Sequence, residues 1–316
     1  MASSECLWEC PEQWSEWSQW LAAGLHARNR WRLPVVLLGM LLQPVWAEIR
    51  VVDDAGVPVV LEKSAQRIVS LAPYITELLF AAGAGETLVG VTEFSDYPEA
   101  ARTLARVGGS GGLDLEAIVA LQPDLVVAWQ SGNAAAQIER LQSLGLTVFI
   151  SEPRQLQDVP ASLRRLGRLA ATGSVAAKQA DRFNARYSEL HDKYSARARV
   201  SVFYQIWDRP LMTLNGEHLF SDVVRLCGGE NIFETLPSLA PQVDIEAVLQ
   251  ADPDVIVIAS DSGDTPLLAA WQRWPQLSAV RQGHVYAVRR EQLVRHSPRI
   301  LDGAERLCEL LDEARM

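Results

Sequence analysis

The sequence predicts an α/β fold with two similar lobes, each built on a mostly parallel sheet, and one long rigid helix that joins them. Three observations support this prediction. Short runs of β-branched residues alternate with helical patterns from Arg67 onward, which is typical of parallel sheets covered by helices. A fifteen-residue pattern occurs twice, 130 positions apart. Between the two copies, residues 174–199 contain neither Gly nor Pro, and such a stretch predicts one uninterrupted helix.

The first 47 residues have the features of a secretory signal peptide. Basic residues at 28–32 precede the apolar run 33–42, and the small residues Val45 and Ala47 stand just before Glu48. Ten residues span about 15 Å as a helix, half of the hydrocarbon core, so a cleavable signal is favoured over a membrane anchor. We expect cleavage before Glu48 and export of the remaining chain. Because the segment before the basic residues is long, we also expect the true start codon to lie within residues 1–47.

The remaining chain divides into an N-terminal lobe (48–173), the connecting helix (174–199) and a C-terminal lobe (200–316). The predicted strands are 67–71, 88–92, 124–129, 147–151, 200–207, 254–260 and 284–288. The predicted helices, besides the connecting one, are 76–82, 115–121, 134–144, 156–171, 218–227, 245–250 and 298–313.

The internal repeat supports the two-lobe division. Residues 114–128 align without a gap on residues 244–258, with six identities in fifteen. Each copy begins with an N-capping Asp and continues through a short helix and a Pro-Asp turn into an apolar strand. Glu116 and Glu246 occupy the same place in the two copies. Two such lobes joined by a single helix predict a cleft between them.

Composition excludes some classes of function and leaves one pairing open. The 316 residues carry a formal charge of -10, which argues against a nucleic-acid binder, and the mean hydropathy of +0.02 fits a soluble globular chain. Of four cysteines, only Cys227 and Cys308 lie beyond the predicted signal peptide. In an oxidising compartment such a pair forms either one disulfide or two buried thiols.

No motif for catalysis or metal binding is convincing. Gly108–Gly112 matches the G-x-S-x-G pattern of serine hydrolases, with Ser110 as nucleophile, but the preceding segment is polar rather than an apolar strand. An exported serine hydrolase is therefore the weakest hypothesis. Beyond residue 47 the histidines do not approach metal-ligand spacing; they are His191, His218, His284 and His296. We predict no catalytic residue, no metal and no resident cofactor.

Aromatic residues stand just past the ends of predicted strands in both lobes. They are Tyr74, Phe94, Trp129 and Trp207. Open α/β sheets bind ligands at the carboxyl ends of their strands, so together these side chains predict a cleft lined for a large ligand with a flat apolar surface. Glu291 and Arg295, which follow the last strand, are candidates for holding polar groups at the rim of the cleft.

Five segments together resemble one protein family. They are Ile68–Leu78, Val89–Pro98, Asp114–Asp124, Leu226–Phe233 and Ser297–Arg299. As a set they are similar to the periplasmic substrate-binding proteins of ABC importers that have a rigid interdomain helix, and within that family to the cobalamin-binding subunits. The resemblance implies a receptor that captures cobalamin or a related corrinoid in the cleft, is no enzyme, and is a monomer when free.

The resemblance also implies which residues contact the ligand: Phe94, Trp129, Glu291, Gln292, Leu293, Val294 and Arg295. Phe94 replaces a Tyr of the characterised cobalamin binders, and two further aromatic positions of the family align with Ser110 and Ala240. Trp207, beside an aromatic position aligned with Ile206, and Tyr74 are expected to substitute for them. A haem or ferric-siderophore receptor of the same fold stays open as an alternative, with Tyr74 or Tyr97 as iron contacts.

The remaining implications concern partners and the cysteines. In the family, surface carboxylates at the positions of Glu116 and Glu246 dock onto arginine clusters of the two permease subunits in the inner membrane. The contexts of Cys227 and Cys308 match the disulfide pair of the family. We therefore expect a bridge between these two cysteines.

Overall fold

The computed structural model describes residues 48–109, 111–260 and 266–316. The predicted signal peptide (1–47) and Ser110 of the hydrolase hypothesis lie outside these ranges. Within them, no helix is both long enough and apolar enough to cross a bilayer.

The described chain alternates strands and helices along most of its length. The strands are β1 (Ile49–Val52), β2 (Pro58–Leu61), β3 (Ile68–Ser70), β4 (Leu88–Val91), β5 (Ala105–Arg106), β6 (Gly108–Gly109), β7 (Gly112–Leu113), β8 (Leu125–Trp129), β9 (Val148–Ser151), β10 (Val200–Gln205), β11 (Trp207–Asp208), β12 (Leu211–Met212), β13 (Gly229–Asn231), β14 (Val255–Ser260) and β15 (Val285–Arg289). The helices are α1 (Pro73–Ala81), α2 (Leu115–Ala120), α3 (Ala135–Ser143), α4 (Asp158–Leu169), α5 (Gly173–Tyr194), α6 (Leu219–Leu226), α7 (Ile245–Ala251), α8 (Pro266–Trp271), α9 (Ser278–Gln282), α10 (Arg290–Val294) and α11 (Ile300–Glu313).

Two parallel sheets dominate the fold, which confirms the predicted α/β class. The first has the order β5-β4-β3-β8-β9 and the second the order β13-β10-β14-β15, with every pairing parallel. All residues of β3 and of β14 are buried, as expected for strands covered by helices on both faces. The predicted strands and helices are all present, and apart from the connecting helix their ends move by at most three residues.

The internal repeat has the same structure in both copies. The Asp114 carboxylate accepts a hydrogen bond from the backbone N–H of Ala117 at 2.9 Å, and that of Asp244 accepts one from Ala247 at 3.2 Å, so each caps the N-terminus of its helix. The second Asp of each copy acts across the sheet: Asp124 accepts from the N–H of Arg67 just before β3, and Asp254 accepts from Ser201 in β10. The repeated residues therefore build one βα unit twice.

Helix α5 links the first sheet to the second but is shorter than predicted. It ends at Tyr194 rather than at residue 199, because the chain turns there and enters β10 at Val200. Its buried face includes Ala176 and Ala180, and a Cβ added to Gly167 of α4 would lie 2.3 Å from the Cβ of Ala176. Small residues thus let α4 and α5 pack closely.

The disulfide between Cys227 and Cys308 is present. Cys227 is the C-cap of α6 and Cys308 lies in α11, with both side chains fully buried. The bridge therefore fixes two helices that cover the second sheet. Its loop spans 81 residues.

Candidate functional site

The predicted ligand residues lie at the carboxyl ends of the strands. Trp129 is the last residue of β8, Phe94 follows β4 by three residues, and Trp207 begins the β11–β12 hairpin directly after β10. Helix α10 begins where β15 ends. This is the edge at which α/β sheets place their ligands.

Phe94 is the most exposed of these aromatics. Its side chain is 71% exposed, and its backbone has a φ of 62°, in the left-handed region that costs a non-glycine residue about 1–2 kcal/mol. The turn is held from two sides. Arg106 donates to the carbonyl of Thr92 at 3.2 Å, and Arg295 donates to the carbonyl of Phe94 at 3.2 Å.

Trp129 is half-buried between a glycine and two aromatic rings. Its ring meets that of Tyr74 edge-on at 5.6 Å and that of His296 at 6.4 Å, while an added Cβ on Gly132 would lie 1.9 Å from the indole. The indole Nε1 is buried and finds no hydrogen-bond partner among the described residues. A buried N–H without a partner is costly, so what Trp129 offers to a ligand is the exposed part of its apolar face.

Tyr74 is buried and packs against Trp129. It is 3% exposed, and its hydroxyl donates to the carbonyl of Ser151 at 3.1 Å. Burial raises its pKa well above the ordinary value of 10.0, which disfavours the phenolate that iron would need. The prediction that Tyr74 contacts a ligand or iron directly does not fit this placement; the sequence showed that an aromatic follows β3 but not that α1 turns it inward.

Trp207 is half-exposed and fixed in orientation. Its indole Nε1 donates to the carbonyl of Arg209 at 3.0 Å, and the guanidinium of Arg290 lies 5.7 Å from its ring centroid, within the range of a cation–π contact. Ile206 and Ala240, which align with aromatic positions of the family, are both partly buried.

The segment from Glu291 to Arg295 forms most of α10, and its members face different surroundings. Leu293 is fully buried and offers no surface to a ligand, whereas Gln292 and Val294 are partly exposed. Glu291 pairs with Arg299 at 3.4 Å. The Arg295 side chain is only 13% exposed, and its guanidinium is held by the groups described next.

A buried ion-pair network holds Arg295 and was not predicted. Arg295 Nη1 lies 2.7 Å from Glu77 Oε1 and 2.9 Å from Asp96 Oδ1. Glu77, whose side chain is 2% exposed, also accepts from Ser297 at 2.5 Å and from Arg299 at 3.1 Å. A carboxylate within the apolar helix α1 is itself a sequence signal, because a buried Glu almost always has a partner. Arg295 therefore has an internal role, and its contact with polar groups of a ligand stays a prediction.

Two buried histidines form a ring cluster with Tyr74 and Trp129. His296 lies 5.1 Å from both Tyr74 and His218, ring centroid to ring centroid, and both its ring nitrogens are buried without a partner among the described residues. Burial lowers its pKa to about 4. Burial, and next the neighbouring His296, lowers the pKa of His218 well below 6.5, and His218 Nδ1 accepts the N–H of Phe220.

Three cavities are each lined in part by a residue that the sequence analysis singled out, namely Glu246, Trp207 or Tyr97. One of ≈ 730 Å³ lies in the second half of the chain, beside Gln205, Leu211, Trp271, Trp274 and Glu246. A smaller one of ≈ 80 Å³ is lined by Trp207 and Arg290, and a third of ≈ 310 Å³ by Glu77, Tyr97 and Arg299. None of the three is lined by Phe94 or Trp129. No group of three His, Cys, Asp or Glu side chains suited to a metal is found in the part of the chain that the structure describes.

Glu116 and Glu246 occupy equivalent surface positions. Each is exposed in the first turn of its helix, α2 or α7. Neither carboxylate forms an ion pair with any residue in the described ranges. Both carboxylates are therefore open to solvent.

Comparisons with known proteins agree with the resemblance. Residues 68–291 match the family described as periplasmic binding protein. The vitamin B12-binding protein of Vibrio campbellii is 36% identical over 252 residues, covering 79% of this chain and 91% of that protein. The vitamin B12-binding protein of Vibrio cholerae serotype O1 is 38% identical over 248 residues, covering 78% and 89%.

Solved structures extend the comparison. The periplasmic vitamin B12 binding protein BtuF of Vibrio cholerae superimposes with a TM-score of 0.75 at 37% identity, covering 79% of this chain and 98% of that one. The periplasmic heme-binding protein RhuT from Roseiflexus sp. RS-1 gives a TM-score of 0.70 at 21% identity, covering 80% and 100%. At that identity the second match shows a shared fold alone.

Proposed function

The chain belongs to the periplasmic binding protein family, and on this premise we propose that it captures cobalamin or a close corrinoid and delivers it to an ABC importer. The observation that carries the proposal is the set of relatives named vitamin B12-binding protein, which the chain matches over about nine-tenths of their length. The exposed aromatics at the carboxyl ends of both sheets support it. Binding of this kind makes and breaks no covalent bond.

We propose Phe94, Trp129 and Trp207 as the principal contacts. A corrin ring presents a broad and largely apolar face, and burying an aromatic ring against it removes apolar surface from water. Glu291, Gln292 and Val294 are proposed at the rim, while Tyr74, Leu293 and Arg295 support the site from behind.

The two sheets with their helices are proposed as lobes, residues 48–173 and 200–316, with the ligand between them. Cleavage before Glu48 would release a periplasmic monomer. N-terminal sequencing of the exported protein tests this, because a mature end far from Glu48 contradicts the signal-peptide assignment.

Glu116 and Glu246 are proposed to dock onto cationic clusters of a permease dimer. Their matched positions on the repeated unit, their exposure and their lack of a partner among the described residues support this role. We expect the double variant Glu116→Arg and Glu246→Arg to bind ligand normally and to fail in transport. Loss of ligand binding by the purified double variant contradicts the assignment, because it would place these residues in the binding site.

Calorimetric titration with cyanocobalamin, haem and a ferric siderophore tests the ligand directly. We expect submicromolar binding of cyanocobalamin. Tight haem binding without cobalamin binding would replace this proposal by the haem receptor of the same fold, with the half-exposed Tyr97 as the iron contact to test first. Labelling of Ser110 by an acyl-directed covalent probe would instead support the hydrolase hypothesis.

A further inference from the structure

Helix α10 and the residue that follows it place an arginine beside each of the two exposed aromatics. Arg290, its first residue, lies over the ring of Trp207 and donates to the carbonyl of Ile206 at 2.8 Å. Arg295, directly after its last residue, donates to the carbonyl of Phe94. Trp207 follows a strand of the second sheet and Phe94 a strand of the first. The short segment 290–295 therefore contacts the Trp207 ring and the backbone next to it, as well as the backbone of Phe94.

Arg295 is anchored more firmly than a surface arginine. Its guanidinium is held by Glu77 and Asp96 while it binds the Phe94 carbonyl. Glu77 is in turn fixed by Ser297 and Arg299. Charged groups with so little solvent contact must have their hydrogen bonds satisfied within the protein, so the position of the guanidinium is determined closely.

The anchor accounts for the unusual backbone of Phe94. A non-glycine residue stays in a left-handed conformation only where its surroundings impose it. Arg295 holds the Phe94 carbonyl, and Arg106 holds the carbonyls of Thr92 and Ser95 at 3.2 and 3.1 Å. These hydrogen bonds thereby fix the backbone from which the exposed ring projects.

Trp207 is held in a comparable way. The hydrogen bond from its indole to the Arg209 carbonyl fixes the edge of the ring, and the guanidinium of Arg290 covers part of one face. With 52% of the residue exposed, the ring remains open to a partner.

We propose that Arg290 and Arg295 are positioning residues, which fix the orientation and separation of the Trp207 and Phe94 faces, with Glu77 as the buried anchor of Arg295. The inference deepens the proposed function and rests on it for the identity of the ligand. In this positioning role, Arg295 affects the affinity for the ligand through Phe94, and Arg290 affects it through Trp207.

Two double-mutant cycles with cyanocobalamin test the coupling. Arg295→Lys keeps the charge but cannot satisfy three acceptors in the same planar geometry. In the parent we expect this substitution to weaken binding about tenfold, as for loss of one charge-assisted hydrogen bond. In a Phe94→Ala background we expect it to weaken binding less than twofold. Arg290→Met is expected to show the same dependence on Trp207→Ala. Additive effects in both cycles overturn the proposal and indicate direct ligand contact or an unrelated role.

A ligand-free measurement separates this inference from the proposed function. Hydrogen exchange followed by mass spectrometry over residues 92–97 is expected to accelerate in Arg295→Lys and in Glu77→Gln. The matched control is Arg186→Lys, since Arg186 also holds two carboxylates, Asp302 and Glu305, but joins α5 to α11. Unchanged exchange in the Arg295 variant contradicts the inference even if the protein binds cobalamin; accelerated exchange without cobalamin binding upholds the positioning role and refutes the proposed ligand.

A milder variant covers the case in which these substitutions prevent folding. Asp96 is half-exposed and contributes one of the Arg295 contacts, so Asp96→Asn loosens the anchor without leaving a buried charge unpaired. We expect faster exchange at residues 92–97 and weaker binding that again depends on Phe94. Binding indistinguishable from the parent, together with parental exchange, overturns the proposal.

Discussion

Replacing Phe94 by alanine tests the ligand-facing role of the most exposed aromatic. Aromatic side chains bury about 150–250 Å², so the 71% of Phe94 that is exposed amounts to about 140 Å², of which one face is about 70 Å². At about 25 cal/mol per Å² that face contributes about 1.8 kcal/mol. The Kd for cyanocobalamin should therefore rise about 20-fold.

The measurement is isothermal titration calorimetry, with Leu144→Ala as the matched control. Leu144 is also a large exposed apolar residue, 46% exposed, but it caps the end of α3 away from the strand ends that carry the aromatics. Phe94→Gly provides a second comparison, because it removes the same ring and relieves the left-handed strain. We expect it to match the alanine variant in affinity and to exceed it by about 1 kcal/mol in free energy of unfolding. A change in Kd below twofold for Phe94→Ala refutes the reasoning.

Three further predictions concern neighbouring features. Gly132→Ala should displace the Trp129 ring, since an added Cβ would lie 1.9 Å from the indole. Because small misplacements at a site are costly, cobalamin binding measured by titration calorimetry should weaken at least about tenfold. Replacing Cys227 and Cys308 by alanine should lower the free energy of unfolding in urea by up to about 4–5 kcal/mol, because the bridge closes an 81-residue loop. Since burial lowers the pKa of His296 to about 4, below the unfolded value of about 6.5, its contribution to stability is complete above pH 6.5 and falls by about 1.4 kcal/mol per pH unit towards pH 4.

Each of these predictions has a control. Gly173→Ala adds a Cβ with no atom within 4 Å and should leave affinity unchanged; an equal loss in both glycine variants argues against displacement of the ring. For the cysteine variant, reduction of the parent should give the same loss, and an unchanged parent contradicts the stabilising role of the bridge. Between pH 7 and pH 5 the free energy of unfolding in urea should fall by about 2 kcal/mol less in His296→Leu than in the parent. Parallel declines would mean that the folded imidazole titrates normally.

The sequence predicts the strands and helices well because the patterns are long and consistent. Buried runs such as Val255–Ser260 and the repeated Asp-helix-strand unit have the same local preference as their final structure. The hairpin β1–β2 and the short helix α10 were not predicted, since four or five residues carry too little periodicity. The early end of α5 depends on where β10 must begin, which is a tertiary constraint.

The sequence predicts where the candidate site lies better than it predicts what each of its residues does. Aromatics after strand ends identify the edge, but whether a ring such as Tyr74 faces a cleft or the core depends on the direction in which α1 leaves β3. The internal role of Arg295 was not predicted because its partners, Glu77 and Asp96, are about 200 positions away in sequence. Only Glu77 carried a local signal, as a carboxylate within an apolar helix.

The continuous helix α5 has a consequence for the proposed docking of this receptor onto an importer. At 1.5 Å per residue its 22 residues form a rod about 33 Å long, and bending such a rod would break backbone hydrogen bonds. Empty and loaded receptors should then present nearly the same docking surface, so empty receptors compete for permease in proportion to their abundance. Transport is thus expected to slow when the receptor is overproduced at limiting vitamin.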